Sequence, residues 1–175
     1  MREMSLSNLQ EIVRKHLQKN ESNRKFVGSI YRDVEDMDKI LAYFKAMHND
    51  KIDYIVALDG SGFILGSMLS REMKVGFIPV AKCKVSDVFG DEFYRAVYVN
   101  HRNESCALVV RKDSLKDHPT VLIVDNWIET GATIAGISSI MEDAGASVAG
   151  VITFGMDDNE KTQALVKEMN VRSIV

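Results

Sequence analysis

Short runs rich in β-branched residues alternate along this chain with segments of helical spacing, and that alternation limits the folds open to it. The runs are Ile52–Leu58, Val75–Ala81, Ala107–Val110, Val121–Val124, Val148–Phe154 and Val171–Val175. Between them, apolar residues recur every three or four positions: Met37, Ile40, Leu41, Phe44 and Met47 in one stripe, Phe63, Leu65, Met68, Leu69 and Met73 in another. Near-continuous apolar strands separated by helices predict an α/β fold, a mainly parallel central sheet with helices on both faces. An N-terminal helix is expected through Leu6, Leu9, Ile12, Val13 and Leu17, with Ser7 or Asn8 as its cap. Further helices are expected over about 35–48, 133–142 and 159–169.

At 175 residues the chain suits one domain with its own core, here expected as an N-terminal segment of about 1–35 on a core of about 36–175. Its formal charge of −3 offers no general attraction to nucleic acid or an anionic membrane, so any anion recognition must be local. Cys83 and Cys106 have no metal-ligand spacing, and no run reaches the ~18 apolar residues of a membrane span. The first residues lack an apolar signal core, and a cytoplasmic protein is the expectation. Residues 85–105 are polar, aromatic and aperiodic; so long a connection is expected to be a functional lid.

The chemistry concentrates in Val121-Leu122-Ile123-Val124-Asp125-Asn126-Trp127-Ile128-Glu129-Thr130-Gly131-Ala132-Thr133-Ile134. A buried strand would deliver Asp125 and Asn126 to the carboxyl end of a sheet. The turn Glu129–Thr133 would then open a helix, whose unpaired amides, dipole and hydroxyls suit a phosphate monoester. Diol acceptors one turn from a phosphate grip describe a cradle for ribose 5-phosphate. The alternative is ordinary turn and N-cap chemistry. Asp59-Gly60-Ser61-Gly62 follows another strand, where glycines let amides approach a diphosphate, and Lys82 follows the next as a cation at the same sheet edge.

This run resembles the phosphoribosyl diphosphate signature of type I phosphoribosyltransferases: four apolar residues, two acids, two variable residues, then Ala/Ser-Thr-Gly-Gly-Thr. Within that superfamily the chain is most similar to adenine phosphoribosyltransferases, through Tyr31-Arg32-Asp33, Lys51 to Gly66 and Arg111-Lys112-Asp113-Ser114-Leu115, over about residues 25–155. The resemblance implies transfer of ribose 5-phosphate from its 1-diphosphate to a purine base, with Mg2+ on the diphosphate and no direct protein ligands assigned to it. It also implies a homodimer acting on small molecules. Asp125 and Asn126 would be catalytic and bind ribose, with Glu129, Thr130, Gly131, Ala132 and Thr133 on the 5-phosphate. Asp59, Gly60, Ser61, Gly62 and Lys82 would take the diphosphate. Trp127 or Ile128 would stack on one face of the base and Tyr31 or Ile30 on the other, with Arg32 either nearby or paired to Asp33 or Asp36.

Departures are equally specific. The family's second acid is Asn126, its second glycine is Ala132, and Ser61 stands where adenine enzymes typically carry arginine. Ungapped alignment puts Arg102-Asn103-Glu104 where the family's lid carries an acid-aromatic-Gly segment. These losses leave open a binding protein without turnover, or a transferase for guanine, xanthine or a pyrimidine.

Overall fold

A computed structural model describes residues 5–21, 25–48, 51–87, 90–99, 105–116 and 118–175. In chain order it forms α1 (Leu6–His16), β1 (Gln18–Lys19), β2 (Lys25–Phe26), a 3-10 helix (Gly28–Arg32), α2 (Val34–Ala46), β3 (Tyr54–Leu58) and α3 (Ser61–Met73). There follow β4 (Gly76–Lys84), β5 (Phe93–Val99), β6 (Ser105–Arg111), β7 (Thr120–Ile128), α4 (Ala132–Asp143), β8 (Ser147–Met156), α5 (Glu160–Met169) and β9 (Val171–Ser173).

Seven strands make one sheet in the order β5-β6-β4-β3-β7-β8-β9. The five strands from β4 to β9 run parallel, while β6 and β5 add to β4 antiparallel, so the sheet is mostly parallel as expected but finishes in a meander edge. Helices α1, α2 and α3 cover one face: Leu9, Val13, Met37, Phe44, Leu65 and Leu69 pack with Ile55, Leu122 and Phe154. Helices α4 and α5 cover the other, where Ile134, Ile137, Ile140 and Leu165 meet Ile78, Leu108, Val121 and Ile123. Alternate residues of the central strands feed opposite cores, which is why these runs read as uninterrupted apolar sequence.

Two expectations are corrected. Ser5 caps α1, accepting a hydrogen bond from the Asn8 amide, so the cap precedes Ser7 and Asn8. Before α2, the 3-10 helix Gly28–Arg32 is tied at its end to Asp33, which caps α2 through the Asp36 amide. Residues 93–99, placed in a lid, form β5. Tyr94, Ala96 and Tyr98 alternate inward onto the α4 side while Arg95 and Val97 face outward, a strand pattern that pairing with β6 makes regular. Of the expected lid, Arg102, Asn103 and Glu104 lie outside the described residues.

Candidate active site

Register brings the chemistry to one edge. β3 pairs Leu58 with Val80 of β4 and Ala57 with Val124 of β7, so Asp59, Lys82 and Asp125 emerge side by side at the carboxyl ends of adjacent strands. A cavity of about 810 Å³ opens there. Asp59, Ser61 and Lys82 line one part of it, and the whole stretch Asp125–Thr133 lines another. This crevice outside the carboxyl end of an open α/β sheet is where such folds bind ligands.

The loop from β7 to α4 has the shape a phosphate grip needs. Gly131 sits at φ 79°, in the left-handed region, and helix α4 begins at the next residue. The Thr130 hydroxyl lies 3.5 Å from the Ala132 amide, and the Ala135 amide closes the first turn onto the Gly131 carbonyl at 2.9 Å. Asn159 holds the loop from below by donating its side-chain amide to the Glu129 carbonyl at 2.9 Å. Ala132 is already helical, so the glycine missing from that position is not needed for left-handed backbone; only Gly131 is.

Asp125 sits half-buried between this loop and the start of α3. Its Oδ1 accepts from the Asn126 amide at 2.7 Å, and a Cβ built on Gly62 would lie 3.6 Å from it. Burial pushes the carboxyl up to about 6; the Asn126 amide opposes that rise, the Glu129 charge adds to it, and the Trp127 amide opposes it. Asn126 is 8% exposed, with its side chain at the cavity wall. On the opposite wall the Asp59 amide donates to the Val80 carbonyl at 3.0 Å. Gly60, at φ 94°, supplies the turn that starts α3 at Ser61. Gly60 and Gly62 shape this turn without lining the cavity. Lys82 is exposed, with its ammonium 5.6 Å from the Tyr98 ring centroid.

The base-side expectations divide. Trp127 lines the cavity, its indole N–H donating to Asp157 at 2.8 Å. The Ile128 side chain is 2% exposed in the α4–α5 core, and Ile30 is fully buried among α1 and α2 residues. Ile30 does not line the cavity, whereas Ile128 reaches its wall with little exposed surface. Tyr31 packs on Phe154 at 6.0 Å between centroids and donates its hydroxyl to the Ser61 carbonyl at 3.2 Å, so it props the start of α3. Burial and the Asp125 charge hold its phenol well above the ordinary range. Arg32 is exposed and away from the cavity. The acids expected as its partners are engaged by others: Asp33 by Lys15, and Asp36 by Lys15, His16 and Lys39.

Several cavity residues escaped the sequence reading. Gln18, Lys19, Lys25 and Phe26 reach the rim on the two-stranded ribbon β1–β2, in which Gln18 faces Phe26. Phe26 is 54% exposed, an aromatic face presented at the mouth. Tyr98 enters from β5. The available signal was a polar turn stretch between two short segments, the hairpin pattern, and the alternation within 93–99.

Among the described residues, one group of three His and Asp side chains could surround a metal ion: His16, Asp33 and Asp36. It lies under α1 and α2, and Lys15 and Lys39 already supply cations to its carboxylates. The cavity instead offers Asp59, Ser61 and Asp125 as separate hard oxygen donors, fitting Mg2+ carried in on substrate oxygens.

Known proteins share this fold. Residues 29–174 match the model of the phosphoribosyl transferase domain. The adenine phosphoribosyltransferase of Clostridium perfringens (strain 13 / Type A) is 32% identical over 142 residues, 81% of this chain and 78% of that protein. That of Prochlorococcus marinus (strain MIT 9313) is 32% identical over 127 residues, 71% and 70% respectively. Among solved structures, adenine phosphoribosyltransferase from Saccharomyces cerevisiae, complexed with an imino-altritol bisphosphate and adenine, superposes with a TM-score of 0.82 at 24% identity, covering 97% of this chain and 99% of that one. The Giardia lamblia enzyme complexed with 9-deazaadenine gives 0.81 at 20% identity, covering 98% and 97%. A cradle at the β7–α4 junction and a family match across most of the chain lead to one assignment: this protein belongs to the phosphoribosyltransferase family.

Proposed function

We propose that this protein is a purine phosphoribosyltransferase that transfers ribose 5-phosphate from 5-phosphoribosyl 1-diphosphate to adenine or an adenine-like base. The bond from the anomeric carbon to the diphosphate oxygen breaks, and a bond from that carbon to a base nitrogen forms. Diphosphate departs with the electron pair, and the nitrogen's proton is released. The carrying observation is the single cavity that collects Asp125, Asn126, the Thr130–Thr133 loop, Asp59, Ser61 and Lys82.

In this reading the amides and hydroxyls of Thr130–Thr133 anchor the 5-phosphate, so binding energy remote from the reacting carbon positions it. Asp125 and Asn126 accept the ribose hydroxyls. The Asp125 carboxylate, when ionised, favours positive charge developing at the anomeric carbon. Asp59, Ser61 and the Gly60–Gly62 turn receive the diphosphate with Lys82. Mg2+ bound with that group neutralises charge on the leaving diphosphate. The base lies toward Trp127 and Phe26, two of the aromatic residues that line the cavity.

Homodimerisation and a cytoplasmic setting belong to the same proposal; the latter is supported by Cys83 and Cys106, which form no disulfide. Among the described residues no helix is long and apolar enough to cross a membrane. The uncharged Asn126 and Ser61 favour a second reading, a protein that binds phosphoribosyl diphosphate without turnover. Assaying adenine, guanine, hypoxanthine, xanthine and uracil with phosphoribosyl diphosphate and Mg2+ separates them: diphosphate released with adenine supports the transferase. Thermal stabilisation by phosphoribosyl diphosphate without release from any base supports the binding protein.

Two substitutions probe the assigned parts. Lys82→Ala should raise the KM for phosphoribosyl diphosphate by roughly tenfold through loss of a charge-assisted contact, leaving the KM for the base little changed. Initial rates with each substrate varied decide this. Asn126→Asp should preserve or raise turnover at pH 8, since it adds a second carboxylate beside the developing positive charge. The added charge should also move the acid limb of kcat/KM upward, because like charges raise one another's pKa. Complete loss of turnover at pH 8 would show that the amide serves another ligand.

A further inference from the structure

We infer that Lys25 and Asp157 form a latch that ties the β1–β2 ribbon to the indole of Trp127 and so positions the base-side wall. The inference rests on the transferase reading for its kinetic consequences. Three contacts carry it. Lys25 Nζ lies 2.9 Å from Asp157 Oδ1, and the same oxygen accepts the Trp127 indole N–H at 2.8 Å. The two charged side chains are only 15% and 28% exposed, so the pair is largely withdrawn from water. Lys25 and Trp127 both line the cavity.

Asp157 is a rigid post for this purpose. It follows the end of β8, where its amide donates to the Ile128 carbonyl at 2.9 Å and its carbonyl accepts from the Thr162 hydroxyl. Thr162 belongs to the capping box that starts α5. The main chain of Asp157 is thus fixed from both β7 and α5, and its carboxylate is tied to the ribbon by the Lys25 side chain. The indole is seated as well as tethered. A Cβ on Gly155 would come within 2.2 Å of Trp127 Cζ3, so the ring lies on a glycine backbone where any larger residue would displace it.

The ribbon is short, with two residues in each strand, and Phe26 is half exposed beyond Lys25. Breaking the ion pair therefore frees both the Phe26 side of the mouth and one restraint on Trp127, while the phosphate loop and Asp125 keep their own supports. Lys25 and Asp157 are positioning residues in this scheme and touch no reacting atom.

The test uses the full chain with Lys25→Met, Asp157→Asn, the double variant, and Lys25→Arg as the conservative control. Diphosphate release is measured with adenine and phosphoribosyl diphosphate varied separately. Emission is read from Trp127, the only tryptophan in the sequence. Expected are a roughly tenfold rise in the KM for adenine in each single variant, kcat and the KM for phosphoribosyl diphosphate within about threefold, and near-parental values for Lys25→Arg. The double variant should be no worse than the poorer single one, since both remove one interaction. In Lys25→Met the emission should move to longer wavelength as the indole gains water. An unchanged adenine KM with unchanged emission overturns the latch, and so does an equal loss across both substrates, the mark of general destabilisation. If the parent releases no diphosphate with any base, the transferase reading fails on its own. The latch is then decided by the emission shift and by faster hydrogen exchange in residues 18–26 of Lys25→Met, whose absence overturns it.

Discussion

Asp125→Asn is expected to lower kcat/KM by roughly a thousandfold, the scale of losing an electrostatic group aimed at developing charge, and at the same time to make the protein more stable at neutral pH. Both results follow from one placement. The carboxyl is held in a half-buried position that lifts it to about 6, so the fold is strained by the ionised form that the chemistry requires. An acid with a raised folded-state pKa binds its proton more tightly when folded. Parental stability should therefore rise as pH falls from about 6 toward 4, and the charged form above pH 6 should cost roughly 2–3 kcal/mol. Asparagine removes that cost and the accompanying slope. Thermal melts of both proteins at pH 5 and pH 8 check the stability half: the gap should be wide at pH 8 and narrow at pH 5.

Activity should run in the opposite sense with pH. In the parent, kcat/KM should fall below about pH 6 as Asp125 protonates. The substrate's 5-phosphate, whose second pKa is also about 6, contributes its own limb. Asp125→Asn separates the two, because its residual activity keeps only the substrate's limb. A variant with parental kcat/KM would remove Asp125 from the ribose site.

Gly131→Val should be nearly as damaging, by a different route. At φ 79° a β-branched residue is strained by about 2 kcal/mol or more. Its Cβ would also press on Leu165, whose Cδ2 lies 3.0 Å from the ideal position. Leu165 belongs to the α4–α5 core, so the loop cannot shift without moving that packing. The expected result is a melting temperature lower by several degrees, on the order of 4–8 °C for a small domain per ~1 kcal/mol and less for one of this length. Affinity for ribose 5-phosphate should fall by roughly tenfold or more, measured by calorimetry, because the amides after residue 131 no longer converge. Gly131→Ala should show the same signs with smaller amplitude. Intact phosphate binding in the valine variant would place the anion elsewhere in the cavity.

The elements read most fully from sequence are those made by neighbours in the chain. Val121–Ile134 is a strand, a turn and a helix start in continuous sequence, so the junction at Asp125, Gly131 and Ala132 could be anticipated from residue order alone. The same holds for Asp59–Ser61 after β3. What failed was whatever depended on a partner far along the chain. Ile30 was offered as an alternative to Tyr31 for stacking, and Ile128 as an alternative to Trp127 because both follow the sugar-binding pair; in the fold Ile30 is buried away from the cavity, and Ile128 reaches its wall with little exposed surface. Arg32 was placed near the base, or else paired with Asp33 or Asp36; in the fold it is exposed and does not line the cavity, and α1 brings Lys15 and His16 to those acids. Residues 93–99 looked aperiodic because Phe93, Tyr94 and Tyr98 and the charge of Arg95 interrupt the aliphatic pattern inside a longer polar stretch. Pairing with β6 and packing on α4 make them a strand.

The sequence by itself determined the α/β alternation, the parallel core and the strand–turn–helix junction with its carboxylate and amide, because these follow from periodicity and backbone preferences acting over a few residues. Only the tertiary structure decided how the cavity is walled: Lys82 with Tyr98, Phe26 at the rim, and Lys25 joined to Trp127 through Asp157. Those contacts depend on strand order and helix packing, which bring together residues such as 25 and 157 that no local preference can connect.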